Sequence, residues 1–178
     1  MHPPGVVGPD DPGLSEAMKG IQQFLQASVL ITSSGFQIVD VRDLAALHVA
    51  LIERDPAPGR FIASGRFLEW EELAELLDRA AGIRLPRLQL PGRAVRLFGQ
   101  LGDRLRPFLN LDPSLSREAT RLATQWLAFD ASHTESTLGV QLRDPMETLF
   151  DTVRWLAANG HVDADRALRF THPGRGRH

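Results

Sequence analysis

The chain lacks cysteine and tyrosine altogether, and Lys19 is its only lysine. Without cysteine it has no disulfide, no thiolate nucleophile and no cysteine-ligated zinc site. Without tyrosine it has no phenol that could act as a general acid or base. No apolar run reaches the roughly 20 residues of a membrane span, and the N-terminus has neither the basic start nor the apolar core of a signal peptide. We therefore expect a cytoplasmic protein with no membrane partner.

The chain also lacks an excess of either positive or negative charge. The formal net charge is −2, which gives no reason to expect nucleic acid as a partner. Nineteen of the twenty basic residues are arginine, which, together with abundant Ala, Gly and Leu, is typical of a high-GC genome rather than of phosphate recognition. A length of 178 residues with 43% hydrophobic and 24% charged residues fits one globular domain, or part of a larger one.

The opening of the chain has the pattern of a strand that lacks a neighbour. Val6 and Val7 are typical of the end of a buried strand, and Gly8-Pro9 of a turn. Parallel strands are normally buried between neighbours, with helices on both faces. We therefore expect the chain to be the second half of a larger fold, whose first half would carry the phosphate-binding loop.

Helical and strand-like patterns alternate along the chain, which predicts an α/β protein rich in helix. Predicted helices run from Asp11 to about Gln26, after Asp40, through Trp70 to Ala80, from Pro91 to about Arg106, and after Ser116, Asp130 and Asp144. Predicted strands cover 36–39, 60–63, 126–129 and, as a short one, 88–90. Residues 1–168 are expected to fold, and 169–178 to form a disordered tail of Gly, Pro, Arg and His.

No residue is assigned as catalytic or as a metal ligand. The chain has no glycine-rich nucleotide loop and no Gly-x-Ser-x-Gly elbow, and its six histidines show no metal spacing. Ser64 is expected in a strand-end turn, and His48 in packing beside the leucine stripe of its helix. Asp40 and Asp43 could form a carboxylate pair, but their place at a helix start favours capping. The arginines of 93–106 are interpreted as a solvated face rather than a site for an acidic surface.

Six short sequence motifs follow one another along the chain, and their order and spacing are informative. They are HPPGVVGP at 2–9, QIVDVRDLA at 37–45, GRFI at 59–62, WEEL at 70–73, FDAS at 129–132 leading to Leu138-Gly139, and TVRWL at 152–156. Together they resemble the C-terminal half of the extended short-chain dehydrogenases/reductases, which are NAD(P)-dependent epimerase/dehydratase-like enzymes. The resemblance is strongest to the dihydroflavonol reductase and 3β-hydroxysteroid dehydrogenase branches and covers about residues 2–160.

The resemblance implies a helix-rich C-terminal fragment of a Rossmann-like NAD(P)-binding fold with a small substrate-capping subdomain. It implies that Pro3, Pro4, Gly5 and Val6 line the nicotinamide side of a cleft and that Gln37 faces substrate. A plain strand-to-loop turn is the alternative interpretation of 3–6, and a solvent-facing strand residue that of Gln37. Strands 36–39 and 127–129 would be adjacent and parallel in the subdomain, with 60–63 apart from them in the remnant of the main sheet.

The family's cofactor fingerprint and its Tyr-x-x-x-Lys pair precede the matched segments and have no counterpart in this chain. A full-length parent would use NAD or NADP on a hydroxyl or ketone of a small molecule. The isolated chain would be its substrate-binding part, inactive and without tight dinucleotide binding, and the missing N-terminal half would be its partner. The alternative is a truncated paralogue that serves as a non-catalytic binding or interaction module.

Overall fold

The computed structural model describes residues 1–95, 97 and 128–162. Its strands are β1 Gly5–Val7, β2 Val29–Ile31, β3 Gly35–Asp40, β4 Phe67–Glu69 and β5 Arg87–Gln89. Its helices are α1 Glu16–Gln26, α2 Val41–Arg54, α3 Trp70–Ala81, α4 Ser132–Leu138 and α5 Pro145–Ala158. Within the described part, none of these helices is long and apolar enough to cross a membrane. The predicted α/β class is confirmed.

The strands form two small sheets. β3 lies between β1, which is parallel to it, and β4, which is antiparallel. β2 and β5 form a separate parallel pair. The start of the chain pairs a second time, because the His2 N–H donates to the Phe61 carbonyl at 2.8 Å and the His2 carbonyl accepts from the Ala63 N–H at 3.1 Å. The first seven residues therefore connect β3 to the segment 60–63.

The predicted grouping of strands is wrong in two respects. Segment 60–63 forms only an isolated bridge at Ile62, and it pairs with the same opening segment as β3 rather than lying apart from it. Residues 128 and 129 are not in a strand. The N–H and carbonyl of Phe129 are bonded to the side-chain amide of Gln37, which takes the place of a strand ladder. The rest of that predicted strand, 126–127, lies outside the described residues.

The main core lies between α1, α3 and α5. Its fully buried side chains come from all three helices and from the strands beside them: Val7, Met18, Ile21, Val29, Leu68, Leu73, Leu77, Leu149 and Leu156. Trp70 closes one end of this core, with Phe24 edge-to-face at 5.8 Å and Phe36 stacked at 6.0 Å between ring centroids. Such aromatic pairs are favourable beyond the apolar area that they bury.

A second, smaller core joins α2 and α4 to the segment 60–63. Leu47, Phe61, Ala63 and Leu138 are buried in it. The predicted leucine stripe of α2 is therefore covered, since Leu47 is 1% exposed and the leucines on either side of it pack against the same cluster. The apolar residues that α2 leaves exposed lie elsewhere on the helix.

The N-cap residues of two helices are those predicted from the sequence, and that of a third is not. Asp40 and Asp144 cap α2 and α5 as predicted, by accepting the N–H of the residue two positions on. The predicted start of α1 at Asp11 is wrong. Leu14 has φ +47, which interrupts helical backbone, and Ser15 is the N-cap of a helix that begins at Glu16. The Asp11 carboxylate instead accepts the Ser15 N–H at 2.7 Å.

Two strands were not predicted, and several predictions fall outside the described residues. β2 and β4 are each three residues long, so they show too few alternations for a strand pattern. Helical backbone begins after Pro91, at 92–95, as predicted. The remainder of that helix, the helix after Ser116 and the tail 169–178 lie outside the described residues.

Candidate functional site

Two clefts share Phe129 as a lining residue. The first has a volume of about 350 Å³ and is lined by His2, Pro3, Pro4, Arg60, Ile62 and Phe129. The second has a volume of about 460 Å³, and its lining includes Gln37, residues 64–67, residues 128–132, Glu135, Leu142 and Arg143. Phe129 is 48% exposed. The two clefts therefore adjoin at an exposed aromatic residue.

The first cleft contains two of the four residues that the sequence predicts on the nicotinamide side. Pro3 and Pro4 follow directly after the His2 bridge to Ile62. Proline has no N–H and a fixed φ, so it is tolerated at the start of a strand and presents an apolar ring rather than a donor. The wall that they form is apolar and conformationally restricted.

Gly5 and Val6 are not among the lining residues of this cleft. Gly5 is buried, and a Cβ on it would lie 2.3 Å from the ring of Phe36. Its absent side chain therefore lets Phe36 pack against β1. Val6 pairs with Val39 within the sheet. The structure brings the two prolines together at the cleft, and a cofactor role for all four residues stays a prediction.

Gln37 lies in the wall of the second cleft, but its amide is bonded to protein. It is 7% exposed, and its Oε1 accepts the Phe129 N–H at 2.7 Å. Its Nε2 lies 3.0 Å from the Phe129 carbonyl, 3.0 Å from Ser64 Oγ and 2.7 Å from the Gly65 carbonyl. The Ser64 hydroxyl donates to the same Phe129 carbonyl at 3.3 Å. These contacts hold the backbone of Phe129 from both its donor and its acceptor side.

Two arginines line the described part of the second cleft, and both are paired with carboxylates. Arg66 forms an ion pair with Glu72 on α3. Arg143 pairs with the buried Asp43 through its guanidinium, and its backbone N–H donates to the same carboxylate at 2.7 Å. Asp43 lies in the first turn of α2, as predicted, but its carboxylate binds Arg143, 100 residues further along the chain, rather than capping the helix.

Asp40 anchors a neighbouring ionic network. Burial alone would raise the pKa of Asp40, but hydrogen bonds from the side chain and backbone of Arg42, and from the Thr148 side chain, bring it below 3.8. The bond to Asp40 raises the pKa of Arg42, whose guanidinium also reaches Asp151 on α5 at 2.7 Å. The network therefore fixes the start of α2 against α5, behind the second cleft.

Asp130 and His48 are exposed. The Asp130 carboxylate accepts the Ser132 N–H at 2.9 Å, and this bond lowers the pKa of Asp130. His48 lies beside the leucine stripe of α2, but it is exposed rather than packed. Its Nδ1 lies 2.8 Å from the Leu44 carbonyl of the preceding helical turn. Among the described residues, no group of three or more His, Asp or Glu side chains could hold a metal ion.

No protein-family model matches this chain. Two curated relatives do. A protein of Synechocystis sp. named as a dihydroflavonol 4-reductase is 23% identical over 167 residues, covering 91% of this chain and 49% of the relative. Sterol demethylase protein B of Methylococcus capsulatus is 24% identical over 165 residues, covering 91% and 50%. The chain spans about half the length of the curated relatives it matches.

Two solved structures have a fold similar to that of this chain. A nucleoside-diphosphate-sugar epimerase of Pseudomonas aeruginosa superposes with a TM-score of 0.69 at 20% identity, over 90% of this chain and 48% of the epimerase. The UDP-glucose 4-epimerase of Bifidobacterium longum, solved with NAD+ and UDP, superposes with a TM-score of 0.56 at 17% identity, over 89% and 47%. The chain shares the fold of about half of each of these Rossmann-like epimerases. The resemblance expected from the motifs is confirmed.

The sequence patterns do not indicate two residues that line the second cleft, Phe129 and Arg143. The sequence predicts Phe129 as part of a strand and gives no signal for Arg143. The only sequence signal for Phe129 is its place just before Asp130, at the start of the FDAS motif. Ser64 follows the isolated bridge at Ile62 rather than a strand, and its hydroxyl bonds to Phe129, 65 residues away.

Proposed function

We propose that this chain forms the substrate-binding part of an NAD(P)-dependent enzyme that acts on a hydroxyl or ketone of a small molecule. The observation that carries the proposal is the junction at Phe129, where a cleft walled by Pro3 and Pro4 adjoins a second cleft. Hydride transfer needs a nicotinamide ring and a substrate carbon held against one another, so two adjoining clefts suit this reaction class.

In this proposal the first cleft receives the nicotinamide end of NAD or NADP. Its lining residues fit a flat ring, because two proline rings and Ile62 form apolar walls and Phe129 offers an aromatic ring. The bound dinucleotide would supply or accept the hydride. The residues of this chain would orient the ring and exclude water from one side of it, which is the contribution that a protein makes to a cofactor reaction.

The second cleft would receive the substrate. Gln37 is then a substrate-side residue whose amide holds Phe129 rather than one whose amide is open to the ligand, since each of its polar atoms already has a protein partner. The alternative of a solvent-facing strand residue is wrong, because Gln37 is 7% exposed. It is a strand residue, and it faces the cleft.

We propose further that the isolated chain is inactive and binds neither dinucleotide tightly. Most dinucleotide affinity in such folds comes from a glycine-rich turn at a helix N-terminus and from a ribose contact near the second strand. The chain has neither a glycine-rich loop of that type nor a tyrosine. An N-terminal half of the fold would supply them, and the coverage of about half of each curated relative supports this.

The reading frame upstream of codon 1 provides the decisive test. We expect it to encode an in-frame Tyr-x-x-x-Lys pair and a glycine-rich loop, and we expect the longer product to oxidise NADH or NADPH in the presence of a ketone. The 178-residue chain alone serves as the matched control and should show no turnover. A stop codon directly upstream would overturn this proposal in favour of the non-catalytic binding or interaction module.

A further inference from the structure

The first cleft has a positively charged side chain and, among its described lining residues, no negatively charged one. Its ionisable side chains are those of His2 and Arg60, and the other lining residues are apolar. The carboxylates of Asp130 and Glu135 line the second cleft instead. The two adjoining clefts therefore differ in charge, and a ligand in the first cleft meets the guanidinium of Arg60.

Arg60 differs from the arginines of the second cleft in its lack of a carboxylate partner. Arg66 and Arg143 are each held by an ion pair. Arg60 is exposed and forms no ion pair with any of the described residues. A guanidinium stays protonated in proteins and presents a planar fork of N–H donors that matches a carboxylate. The charge of Arg60 is therefore available to a ligand.

The segment that follows Arg60 is held on both of its edges. It exchanges two hydrogen bonds with the backbone of His2, at 2.8 and 3.1 Å. On its other edge, the Ile62 N–H donates to Thr134 Oγ1 on α4 at 3.0 Å. These bonds fix the backbone beside Arg60 relative to the opening of the chain, which carries the two proline walls of the cleft. The charge and the apolar walls thus belong to one rigid arrangement.

We propose that Arg60 makes the first cleft selective for the charge of a flat ligand. The cleft binds an aromatic ring that carries a carboxylate, and it disfavours a ring that carries a positive charge. The ring lies against the apolar walls, and its carboxylate binds the guanidinium of Arg60. Ligand sites commonly combine apolar lining area with a few placed polar groups that give specificity. This site for an aromatic carboxylate does not depend on the proposed function.

Under the proposed function, the same charge distinguishes the two redox states of the nicotinamide ring. The oxidised ring of NAD or NADP carries a positive charge, and the reduced ring is neutral. Arg60 opposes the oxidised ring, because like charges repel at short range. The first cleft therefore favours the cofactor form that reduces a ketone. This consequence rests on the proposed function.

The test uses the 178-residue chain and three probes that share a pyridine ring and differ in charge. They are nicotinate, nicotinamide and 1-methylnicotinamide, which are negative, neutral and positive at pH 7. Titrations followed by saturation-transfer NMR measure their affinities. We expect nicotinate to bind about fivefold more tightly than nicotinamide, which is the effect of one partly exposed ion pair. We expect 1-methylnicotinamide to bind most weakly.

Substitutions of Arg60 separate its charge from its shape. Arg60→Gln removes the charge and should abolish the preference for nicotinate. Arg60→Lys keeps the charge without the planar fork, so it should still disfavour 1-methylnicotinamide. Arg154→Gln is the matched control, because Arg154 is exposed on α5, lines neither cleft and changes the net charge by the same amount as Arg60→Gln. The control should leave the order of the three affinities unchanged.

Equal affinities of the wild-type chain for the three probes would overturn the inference, as would equal effects of Arg60→Gln and Arg154→Gln. Failure of all three probes to bind would overturn it as well. The proposed function is tested separately, by the upstream reading frame and the turnover of its product. If that product oxidised no NADH or NADPH, the preference for nicotinate would stand, and its consequence for the nicotinamide ring would fall with the proposed function.

Discussion

Asp40 offers a substitution whose effect can be worked out from its contacts. Its side chain has no exposed surface and accepts the Arg42 N–H at 2.8 Å, Arg42 Nε at 2.9 Å and a terminal Arg42 nitrogen at 2.7 Å. Asp40→Asn keeps the shape and the N-cap, since asparagine caps as well as aspartate. It removes the negative charge and leaves Arg42, which is 34% exposed, with one carboxylate partner.

We expect Asp40→Asn to lower the free energy of unfolding by about 2 kcal/mol at pH 7. A hydrogen bond to a charged group contributes roughly 1.5–3 kcal/mol, and solvent around the partly exposed Arg42 reduces the ionic part. For a chain of this size the loss corresponds to a drop of about 4–8 °C in melting temperature. Circular dichroism melts measure it, with Glu53→Gln, on the exposed side of α2, as the matched control.

The acid dependence gives a second readout of the same substitution. The pKa of Asp40 lies below 3.8 in the folded protein, so its carboxylate stabilises the fold above pH 3.8. That contribution is lost as the pH falls through the folded-state pKa. Asp40→Asn should therefore lose less stability than wild type on acidification. A melting temperature equal to that of Glu53→Gln at pH 7, or an unchanged acid dependence, would refute the reasoning.

Three further predictions follow from the structure. A Cβ at Gly35 would lie 2.1 Å from the Leu68 backbone oxygen, so Gly35→Ala should separate β3 from β4. We expect it to lower the free energy of unfolding, measured in urea, by about 3 kcal/mol. Gly20 in α1 has open space around it, so Gly20→Ala should raise the free energy of unfolding by about 0.5–1 kcal/mol. Equal effects of the two would contradict this. Ile52 and Val49 are 79% and 53% exposed on α2, so we expect the isolated chain to self-associate. Ile52→Lys should lower the apparent mass of the chain in sedimentation. A wild-type chain that sediments as a monomer would show this reasoning to be wrong. Calorimetric titration of the chain with NAD or NADP should show no heat of binding, and micromolar affinity for either would sink that expectation.

Much of the local structure could be predicted because its causes lie within four residues along the chain. Asp40 and Asp144 each accept an N–H two residues on, and Gly139 ends α4 with φ +61. Buried positions on α3 and α5 recur at helical spacing, which marks their packed faces in the sequence itself. The order of six motifs added the fold class, which the superpositions confirm.

The candidate site was decided by tertiary structure. Gln37 and Phe129 are 92 residues apart, and Asp43 and Arg143 are 100 apart, so no local pattern indicates either pair. Asp43 has the sequence position of a capping residue, and only the approach of the chain before α5 gives its carboxylate a different partner. Sequence periodicity records which face of an element is apolar, because that is a property of the element alone. Which polar group meets which depends on how the elements pack, and the cost of leaving a buried charge or amide unpaired then selects the partner.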